Sequence, residues 1–383
     1  MKIILAFDSF KNCLSSPELC EIVRTVILEN TEGGSVVSLP LGDGGEGTAA
    51  AVVSAANGEL KYCTVRNPLF REIQAQWGLL PDGSAVFEMA QASGIELISR
   101  DERDPMSATS YGTGELLKHI ICDCNVSSVV VGIGGSATVD GGVGMLQALG
   151  VRFFDRNKKE LAVPASAYDI GCIHSIDLSD VPVEIKKARI KVACDVNNPL
   201  CGDNGAAKVF APQKGADDRM VEILEQNLLN FGKVSVSSGV AANYTSPGDG
   251  AAGGVGFALR NFLGAELTSG AELVLDTVGF DKYLPDADLV ITGEGCSDNQ
   301  TLFGKLPSAA AKHAAKNGVP AVLLSGALGK DSGKLKEIFD AVLVLTDSPC
   351  SLDDAIKNTQ SNLERVTKAV ISLLKISEKQ ADC

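Results

Sequence analysis

Histidine and long apolar runs are scarce in this chain of 383 residues, and each shortage excludes a class of function. The three histidines, His119, His174 and His313, have no nucleophile or acid beside them, and no Gly-x-Ser-x-Gly segment occurs, so we do not expect a Ser-His-Asp hydrolase. No apolar run approaches the roughly 20 residues of a membrane span, and the N-terminus does not resemble a signal peptide. We therefore expect a cytoplasmic protein without a membrane partner.

Positive charge is also in short supply. The 34 lysines and arginines are outnumbered by 48 acidic residues, which gives a formal net charge of -14. Such a chain repels nucleic acid and anionic lipid, so a nucleic-acid partner is not expected. If the substrates are anions, local cations or a metal ion must offset this negative field.

The eleven cysteines do not form a recognisable framework. The closest two, Cys122 and Cys124, are too close together for a zinc site and lack a second pair of ligands. Scattered cysteines of this kind are typical of reduced, buried thiols in a cytosolic protein.

Apolar strands, glycine-rich loops and helices instead alternate along the chain, which predicts a parallel sheet covered by helices. One such helix should begin at Ser15 or Ser16, because Pro17 suits a first turn and Glu18 completes a capping box, and it should end near Glu29. The predicted apolar strands include residues 3–7, 35–39, 129–131, 288–291, 321–324 and 341–345.

The length and two less regular stretches predict two domains, one inserted into the other. We assign residues 1–57, 106–150 and 280–383 to a discontinuous parallel α/β domain. Residues 58–105 and 151–279 are then the inserted second α/β domain.

An acidic residue follows the end of an apolar strand at five places: Asp8, Asp43, Asp140, Asp195 and Glu294. Ligands of open parallel sheets bind outside the carboxyl ends of the strands. Several carboxylates meeting there would repel an anionic substrate unless a divalent cation joined them. Magnesium is the natural choice, because it binds one or two carboxylates together with substrate phosphates.

Glycine loops and loop lysines are candidates for binding those phosphates. Backbone N–H groups at a loop-to-helix junction form an anion site, although no Gly-x-x-x-x-Gly-Lys-Ser/Thr P-loop occurs. Lysines in loops are candidates for neutralising a transferring phosphoryl group. The glycine-loop candidates are Gly44, Gly45, Gly134, Gly135, Ser136, Gly253 and Gly254, and the lysines are Lys11, Lys214 and Lys305.

A dinucleotide site is an alternative use of one glycine loop. Gly132, Gly134 and Ala137 match Gly-x-Gly-x-x-Ala, and Asp155 follows about 20 residues later, which would favour an NAD-dependent oxidoreductase. Against it, Asp140 stands where the helix of that fingerprint should already be running. Its charge would also face the pyrophosphate.

Taken together, these segments resemble the type-1 glycerate kinase family over nearly the whole chain. The resemblance implies ATP-dependent phosphorylation of D-glycerate and two α/β domains, one of them flavodoxin-like with the other inserted into it. The matching segments are residues 8–11, 42–48, 111–116, 132–142, 145–150, 194–195, 198–202, 212–216 and 293–295, with Asp298, Gln300, Thr301, Gly304 and Lys305.

Two positions depart from the family pattern. Cys296 stands where the family usually has arginine, and Val139 where it often has asparagine. Neither change removes an acid or a lysine, so we expect activity. The missing guanidinium could weaken the binding of phosphate or carboxylate.

Sequence placement suggests a role for each candidate in a cleft between the two domains. Asp195 and Glu294 would hold Mg²⁺, and Asp43 or Asp8 would orient and deprotonate the attacking hydroxyl. Lys11, Lys214 and Lys305 would stabilise the charge on the transferring group. Arg71 and Arg103 would clamp the substrate carboxylate bidentately. The remaining substrate-binding candidates are Ser9, Asn198, Asp298 and Gln300.

Three questions stay open at this stage. The product could be 2- or 3-phosphoglycerate, and the protein could be a monomer or a homodimer. A non-enzymatic sensor of a small organic acid, which keeps the fold without turnover, is the other alternative.

Overall fold

A computed structural model describes residues 1–11, 13–42 and 47–381, without the side chains of Gln300, Phe303 and residues 377–381. These residues form two compact units. Unit 1 comprises the described residues within Met1–Asp43, Ser54–Ala56 and Gly270–Cys383, and unit 2 those within Gly44–Val53 and Asn57–Ser269.

The strands alternate with helices, as the pattern predicts. In chain order the strands are β1 Lys2–Phe7, β2 Ser35–Ser38, β3 Glu59–Arg66, β4 Glu72–Leu79, β5 Ala85–Glu88, β6 Ser128–Gly132, β7 Arg152–Phe154, β8 Ser175–Asp177, β9 Arg189–Ala193, β10 Glu266–Thr268, β11 Leu289–Ser297, β12 Ala321–Leu328 and β13 Ala341–Val344.

The α-helices vary from single turns to long rods. They are α1 Ser16–Asn30, α2 Thr48–Ala55, α3 Ala90–Ser93, α4 Tyr111–Lys118, α5 Val143–Ala148, α6 Val183–Lys187, α7 Ala206–Phe210, α8 Asp218–Ser237, α9 Val255–Leu263, α10 Gly270–Val278, α11 Leu306–Lys316, α12 Leu352–Lys357 and α13 Thr359–Ala381.

Helix α1 confirms the prediction made from its capping residues. It begins at Ser16, and the Glu18 carboxylate accepts hydrogen bonds from the Ser15 backbone N–H at 2.8 Å and hydroxyl at 2.6 Å. The Ser16 hydroxyl donates to the carbonyl of Phe7 and accepts from the N–H of Leu41. The start of α1 therefore joins the loops that follow β1 and β2.

Unit 1 is a five-stranded parallel sheet with the order β13-β12-β11-β1-β2. The chain passes from β1 to β2 at one edge and later returns to β11 on the other side of β1. The strand order therefore reverses between β1 and β11. Loops on the two sides of such a reversal leave a crevice at the carboxyl ends of the strands.

Helices cover both faces of this sheet, and its strand β1 is apolar on both faces. Ile3, Leu5 and Phe7 pack with α1 and α13 in one buried cluster. Ile4 and Ala6 point to the opposite face and are also fully buried. Helix α11 packs against β1, β11 and β12.

Unit 2 contains a six-stranded sheet with the order β10-β9-β6-β5-β4-β3, in which β3 and β4 run antiparallel to their neighbours. The units differ from the predicted domains at residues 47–53, 57 and 106–150, which belong to unit 2, and at residues 270–279, which belong to unit 1. Residues 106–150 were assigned to the discontinuous domain, but β6 pairs with β5 and β9 in the middle of unit 2. A strand that is covered on both faces has the same apolar sequence pattern in either sheet, so its own residues do not indicate which strands it pairs with.

Two glycines allow α4 to pack closely in unit 2. A Cβ on Gly112 would lie 1.7 Å from the carbonyl oxygen of Arg66, and one on Gly114 would lie 2.2 Å from that of Met145 in α5. Part of the motif at residues 111–116 is therefore explained by helix packing alone.

No helix of the described residues is long and apolar enough to cross a membrane. The ten cysteines within the described part of the chain are free thiols. Not all of them are buried as expected, since Cys124, Cys172, Cys296 and Cys350 are exposed.

One histidine ties α11 to the segment before β11. His313 is 8% exposed, and its Nδ1 lies 2.7 Å from Asp281 Oδ1 while its Nε2 lies 2.9 Å from Glu272 Oε2. Burial lowers the pKa of His313, but the hydrogen bonds to Glu272 and Asp281 outweigh it, so the pKa is raised. The folded protein therefore favours the imidazolium form.

This geometry predicts that stability depends on pH through His313. A folded-state pKa above the unfolded value of about 6.5 stabilises the fold fully below that pH, and the contribution is lost as pH rises through the raised pKa. The free energy of unfolding, measured with urea across this range, should show this decline in the wild type and in the exposed control His174→Gln. His313→Gln should flatten it. An undiminished slope in His313→Gln would contradict the assignment.

Candidate functional site

A pocket of about 750 Å³ lies in unit 1 at the carboxyl ends of the parallel strands. Its walls come from the loop after β1, the last residues of β11 and β12, Lys305, the segment after β13, and α12 and α13. The pocket thus includes the loop after β1 and the end of β11, between which the strand order reverses. This is where open α/β sheets bind ligands.

The charged lining residues all come from the loop after β1 and from residues 294–305. Asp8 and Glu294 follow the paired residues Phe7 and Gly293 of neighbouring strands, and the Asp8 N–H donates to the Gly293 carbonyl at 3.0 Å. Lys11 and Lys305 line the same pocket. The charged end therefore combines two carboxylates with two ammonium groups.

The Glu294 carboxylate is oriented by two contacts and is 5% exposed. Its Oε1 accepts from the Thr301 hydroxyl at 2.6 Å, and its Oε2 lies 3.3 Å from Lys305 Nζ. Thr301 is fully buried, and its oxygen also accepts from the Asp298 N–H at 3.0 Å. Thr301 therefore positions Glu294, a role that we did not predict although the residue lies in a matched motif.

Ser9 and Asp298, two predicted substrate-binding residues, lie near this end in sequence and structure. The Ser9 N–H donates to Asp8 Oδ1 at 2.7 Å, and Ser9 lines the pocket. Asp298 is held by Thr301 and does not line it.

A second part of the pocket, which we call the uncharged end, carries no charged side chain. It is formed by residues between the end of β13 and the first turns of α13, and its lining is Leu345, Thr346, Ser348, Pro349, Cys350, Ser351, Leu352, Ala355, Ile356, Thr359 and Asn362. A pocket with one charged and one largely apolar end suits a ligand of the same polarity.

Three thiols also line the pocket: Cys13, Cys296 and Cys350. Cys13 Sγ donates to the Thr359 hydroxyl oxygen at 3.2 Å. Cys296 is exposed, so the departure from the family pattern noted above falls in the pocket itself. Its effect on affinity stays a prediction.

A second group of candidates surrounds Lys214 in unit 2. This lysine is 3% exposed, and its Nζ donates to the Ser136 hydroxyl and to the Thr138 carbonyl, both at 2.7 Å. Burial lowers the pKa of Lys214 to about 7, although the negative charge of Asp140 opposes that shift. Lys214 therefore anchors the loop that carries Gly134 and Gly135.

Asp140, one of the five acids that follow an apolar strand, is enclosed by hydrogen bonds within unit 2. It is fully buried, and its carboxylate accepts from the N–H and hydroxyl of Ser110 and from the N–H groups of Gly142 and Gly144. Burial raises the pKa of Asp140, and these hydrogen bonds oppose the rise. Its oxygens fix the turn that leads into α5.

The other predicted acids are distributed over both units. Asp8 and Glu294 are neighbours in unit 1, whereas Asp195 is an exposed residue of unit 2. Among the described residues, no group of three or more His, Cys, Asp or Glu side chains is arranged to hold a metal ion. Two carboxylates supplemented by substrate phosphates are still compatible with Mg²⁺.

Gly253 and Gly254 have a packing role in the structure. Their φ angles are +70° and +99°, which disfavour a side chain. A Cβ on Gly253 would lie 2.0 Å from the Thr138 carbonyl oxygen, and one on Gly254 would lie 2.7 Å from Gly141 Cα. These glycines therefore let two loops approach closely, and a contact with phosphate stays a prediction.

The predicted substrate clamp has acidic partners within unit 2. Arg71 Nη2 lies 2.9 Å from Glu102 Oε1, and Arg103 Nη2 lies 3.6 Å from Glu96 Oε1. Arg103 Nε is buried and makes no hydrogen bond within the described residues. Asn198 Nδ2 donates to the Asn204 carbonyl.

Four candidates could not be located in full. Asp43, Gly44 and Gly45 lie outside the described residues, as does the side chain of Gln300. Residues Gly47 and Ala49 follow the undescribed segment 43–46, and their N–H groups donate to the Glu88 carboxylate. Glu88 therefore supports the start of α2. Glu88 also follows an apolar strand, and we missed this instance of the pattern.

The structure contradicts the dinucleotide alternative. Gly132 ends β6, and an extended loop then runs to Gly142 before α5 begins at Val143. A dinucleotide fingerprint requires the helix to start within the glycine motif, so that its N-terminus faces the pyrophosphate.

Comparisons with known proteins agree with this architecture. The family model for the glycerate kinase family matches residues 3–375. The chain is 39% identical over 383 residues to glycerate 2-kinase of Escherichia coli (strain K12), covering 100% of both chains. It is 39% identical over 380 residues to glycerate kinase of Bacillus subtilis (strain 168), covering 99% of both.

A solved structure gives the same result at the level of the fold. A crystal structure of a protein assigned as glycerate kinase 2 from Salmonella typhimurium LT2 superposes with a TM-score of 0.89 at 40% identity, covering 99% of each chain. With a family model that matches almost every residue and relatives aligned from end to end, the chain belongs to the glycerate kinase family.

Proposed function

We propose that this protein transfers the γ-phosphoryl group of MgATP to D-glycerate. The acceptor is the hydroxyl on carbon 2, by analogy with the relative named glycerate 2-kinase. The observation that carries the proposal is the division of the unit 1 pocket lining, in which Asp8, Glu294, Lys11 and Lys305 carry all the charge and the lining residues after β13 carry none. ATP has the same division between its phosphates and its base.

The charged end suits the phosphates only if positive charge is added. The charges of the two carboxylates and the two ammonium groups cancel, whereas the triphosphate of ATP carries about four negative charges. Asp8 and Glu294 offer hard oxygen ligands at adjacent strand ends, which fits Mg²⁺. When bound, this ion would neutralise the bridging phosphate oxygens as charge develops on them.

The chain's own side chains would then position the reactants. Lys305 and Lys11 would donate to the oxygens of the transferring group, and Thr301 would keep Glu294 in place while Lys305 moves toward phosphate. Of the two candidate bases, Asp8 lies within the described residues, and it would orient the attacking hydroxyl and accept its proton. Asp43 and Asp195 keep their predicted roles as further base and metal ligand.

The substrate-binding candidates of unit 2 keep their predicted roles. Lys214 anchors the Gly134–Gly135–Ser136 loop, whose backbone and hydroxyl groups can bind an anion. Arg71 and Arg103 would exchange their glutamate partners for the substrate carboxylate.

The proposal predicts that purified protein releases ADP from MgATP only when D-glycerate is present. L-glycerate and a reaction without acceptor serve as controls, and removal of Mg²⁺ with EDTA should stop the release. ADP formation that does not depend on glycerate would contradict the proposal. A folded protein that binds glycerate but forms no ADP would instead support the sensor alternative.

Glu294→Gln keeps the shape of the side chain but removes its charge. We expect kcat to fall about 100-fold, which corresponds to about 2.7 kcal/mol of lost transition-state stabilisation, and the Mg²⁺ concentration for half-maximal rate to rise. The exposed Glu337→Gln is the matched control and should stay within about twofold of wild type. Wild-type rates and Mg²⁺ dependence in Glu294→Gln would show that this carboxylate is not part of the site.

A further inference from the structure

The uncharged end of the unit 1 pocket contains one amide side chain, that of Asn362 in α13. It is 9% exposed and lines the pocket. Its Oδ1 accepts from Arg365 Nη2 at 3.5 Å, and its Nδ2 donates to no group in the described part of the chain. This donor is therefore available to a ligand that enters the pocket.

The surroundings of Asn362 hold its position. Arg365 Nη2 also donates to the Leu345 carbonyl at 2.6 Å, which links α13 to the end of β13. One turn before Asn362, the Thr359 hydroxyl donates to the Ala355 carbonyl and accepts from Cys13 Sγ. Both ends of this short helical segment are therefore tied to other walls of the pocket.

The contact with Arg365 favours one orientation of the amide. If the amide were flipped, Nδ2 would face the guanidinium, and two donors would oppose each other. The Asn362 amide therefore presents an acceptor, Oδ1, beside a donor, Nδ2, to a ligand in the pocket. The neighbouring lining is apolar, with Leu345, Leu352 and Ile356 available to pack on a planar ring.

This arrangement matches the edge of adenine. Adenine presents an exocyclic N–H donor next to a ring-nitrogen acceptor, and asparagine pairs with both at once. Guanine carries an oxygen acceptor at the position of that amine, which would face Oδ1. The phosphates of the same nucleotide would extend toward Asp8, Glu294 and Lys305 at the charged end.

We propose that Asn362 selects adenine in this pocket, with Oδ1 accepting from the exocyclic amine and Nδ2 donating to the adjacent ring nitrogen. The inference rests on the proposed function, because it takes ATP as the phosphoryl donor. It goes beyond that function by naming the residue that determines the choice of base.

Binding of ADP tests the inference without turnover. The affinities for ADP and for purine riboside diphosphate, which lacks the exocyclic amine, would be measured by titration calorimetry. Wild type should bind ADP about 10-fold more tightly than the analogue, because the analogue cannot donate a hydrogen bond to Asn362 Oδ1. Asn362→Ala should bind both weakly and equally.

Asn358→Ala is the matched control, because Asn358 is an exposed asparagine just before the same helix and does not line the pocket. It should keep the wild-type preference for ADP. If Asn362→Ala fails to fold, Asn362→Leu preserves side-chain volume and should give the same equal binding. An unchanged preference in either folded Asn362 variant would overturn the inference.

The two proposals fail in different ways. If wild type releases no ADP with D-glycerate but shows the amine-dependent preference, the kinase proposal fails and the role of Asn362 stands. If glycerate is phosphorylated and the Asn362 variants keep the preference, only the inference fails. If wild type binds neither diphosphate, the pocket is not a nucleotide site and the inference is overturned.

Discussion

The parallel pairing of β1 with β11 is the constraint on which the site depends. These strands lie far apart in the chain, and their register places Phe7 opposite Gly293. Asp8 and Glu294 therefore emerge side by side, although 285 residues separate them in the sequence. The remaining parts of the pocket follow from this pair, because β12 and β13 continue the sheet in the same direction and add the last residues of β12 and the segment after β13 to the same edge.

Local features hold the two carboxylates once the strands have paired. The Ser16 hydroxyl connects the ends of β1 and β2, and Thr301 fixes the orientation of Glu294. Lys305 precedes α11, so the helix that covers β11 also sets the approach of the lysine. The sheet of unit 1, the start of α11 and the charged residues of the pocket are therefore connected by direct contacts.

Much of this arrangement could be predicted from the sequence. The run from Ile3 to Phe7 followed by Asp8 identified a strand and its functional end, and Ser15 with Glu18 identified the start of α1. Such signals are local, since they depend on residues that are neighbours in the chain. The family resemblance added the order in which they occur.

The features that the sequence did not predict depend on contacts between residues that are distant in the chain. The partners of β6 are decided by packing in unit 2, and its apolar residues would suit either sheet. Asp140 follows a strand as Asp8 does, but its carboxylate turns inward to N–H donors that no spacing rule indicates. Asn362 carries no motif at all, and only the convergence of α13 with β13 shows that it reaches the pocket.

We propose that the unit 1 pocket holds MgATP, with the phosphates at its charged lining residues and the base at its uncharged ones. A crystal structure with Mg²⁺ and a non-hydrolysable ATP analogue tests it most directly. We predict that the phosphates lie beside Glu294 and Lys305 and that the adenine lies between Leu352 and Asn362. An analogue bound on the Gly134–Gly135–Ser136 loop, with this pocket empty, would contradict the claim.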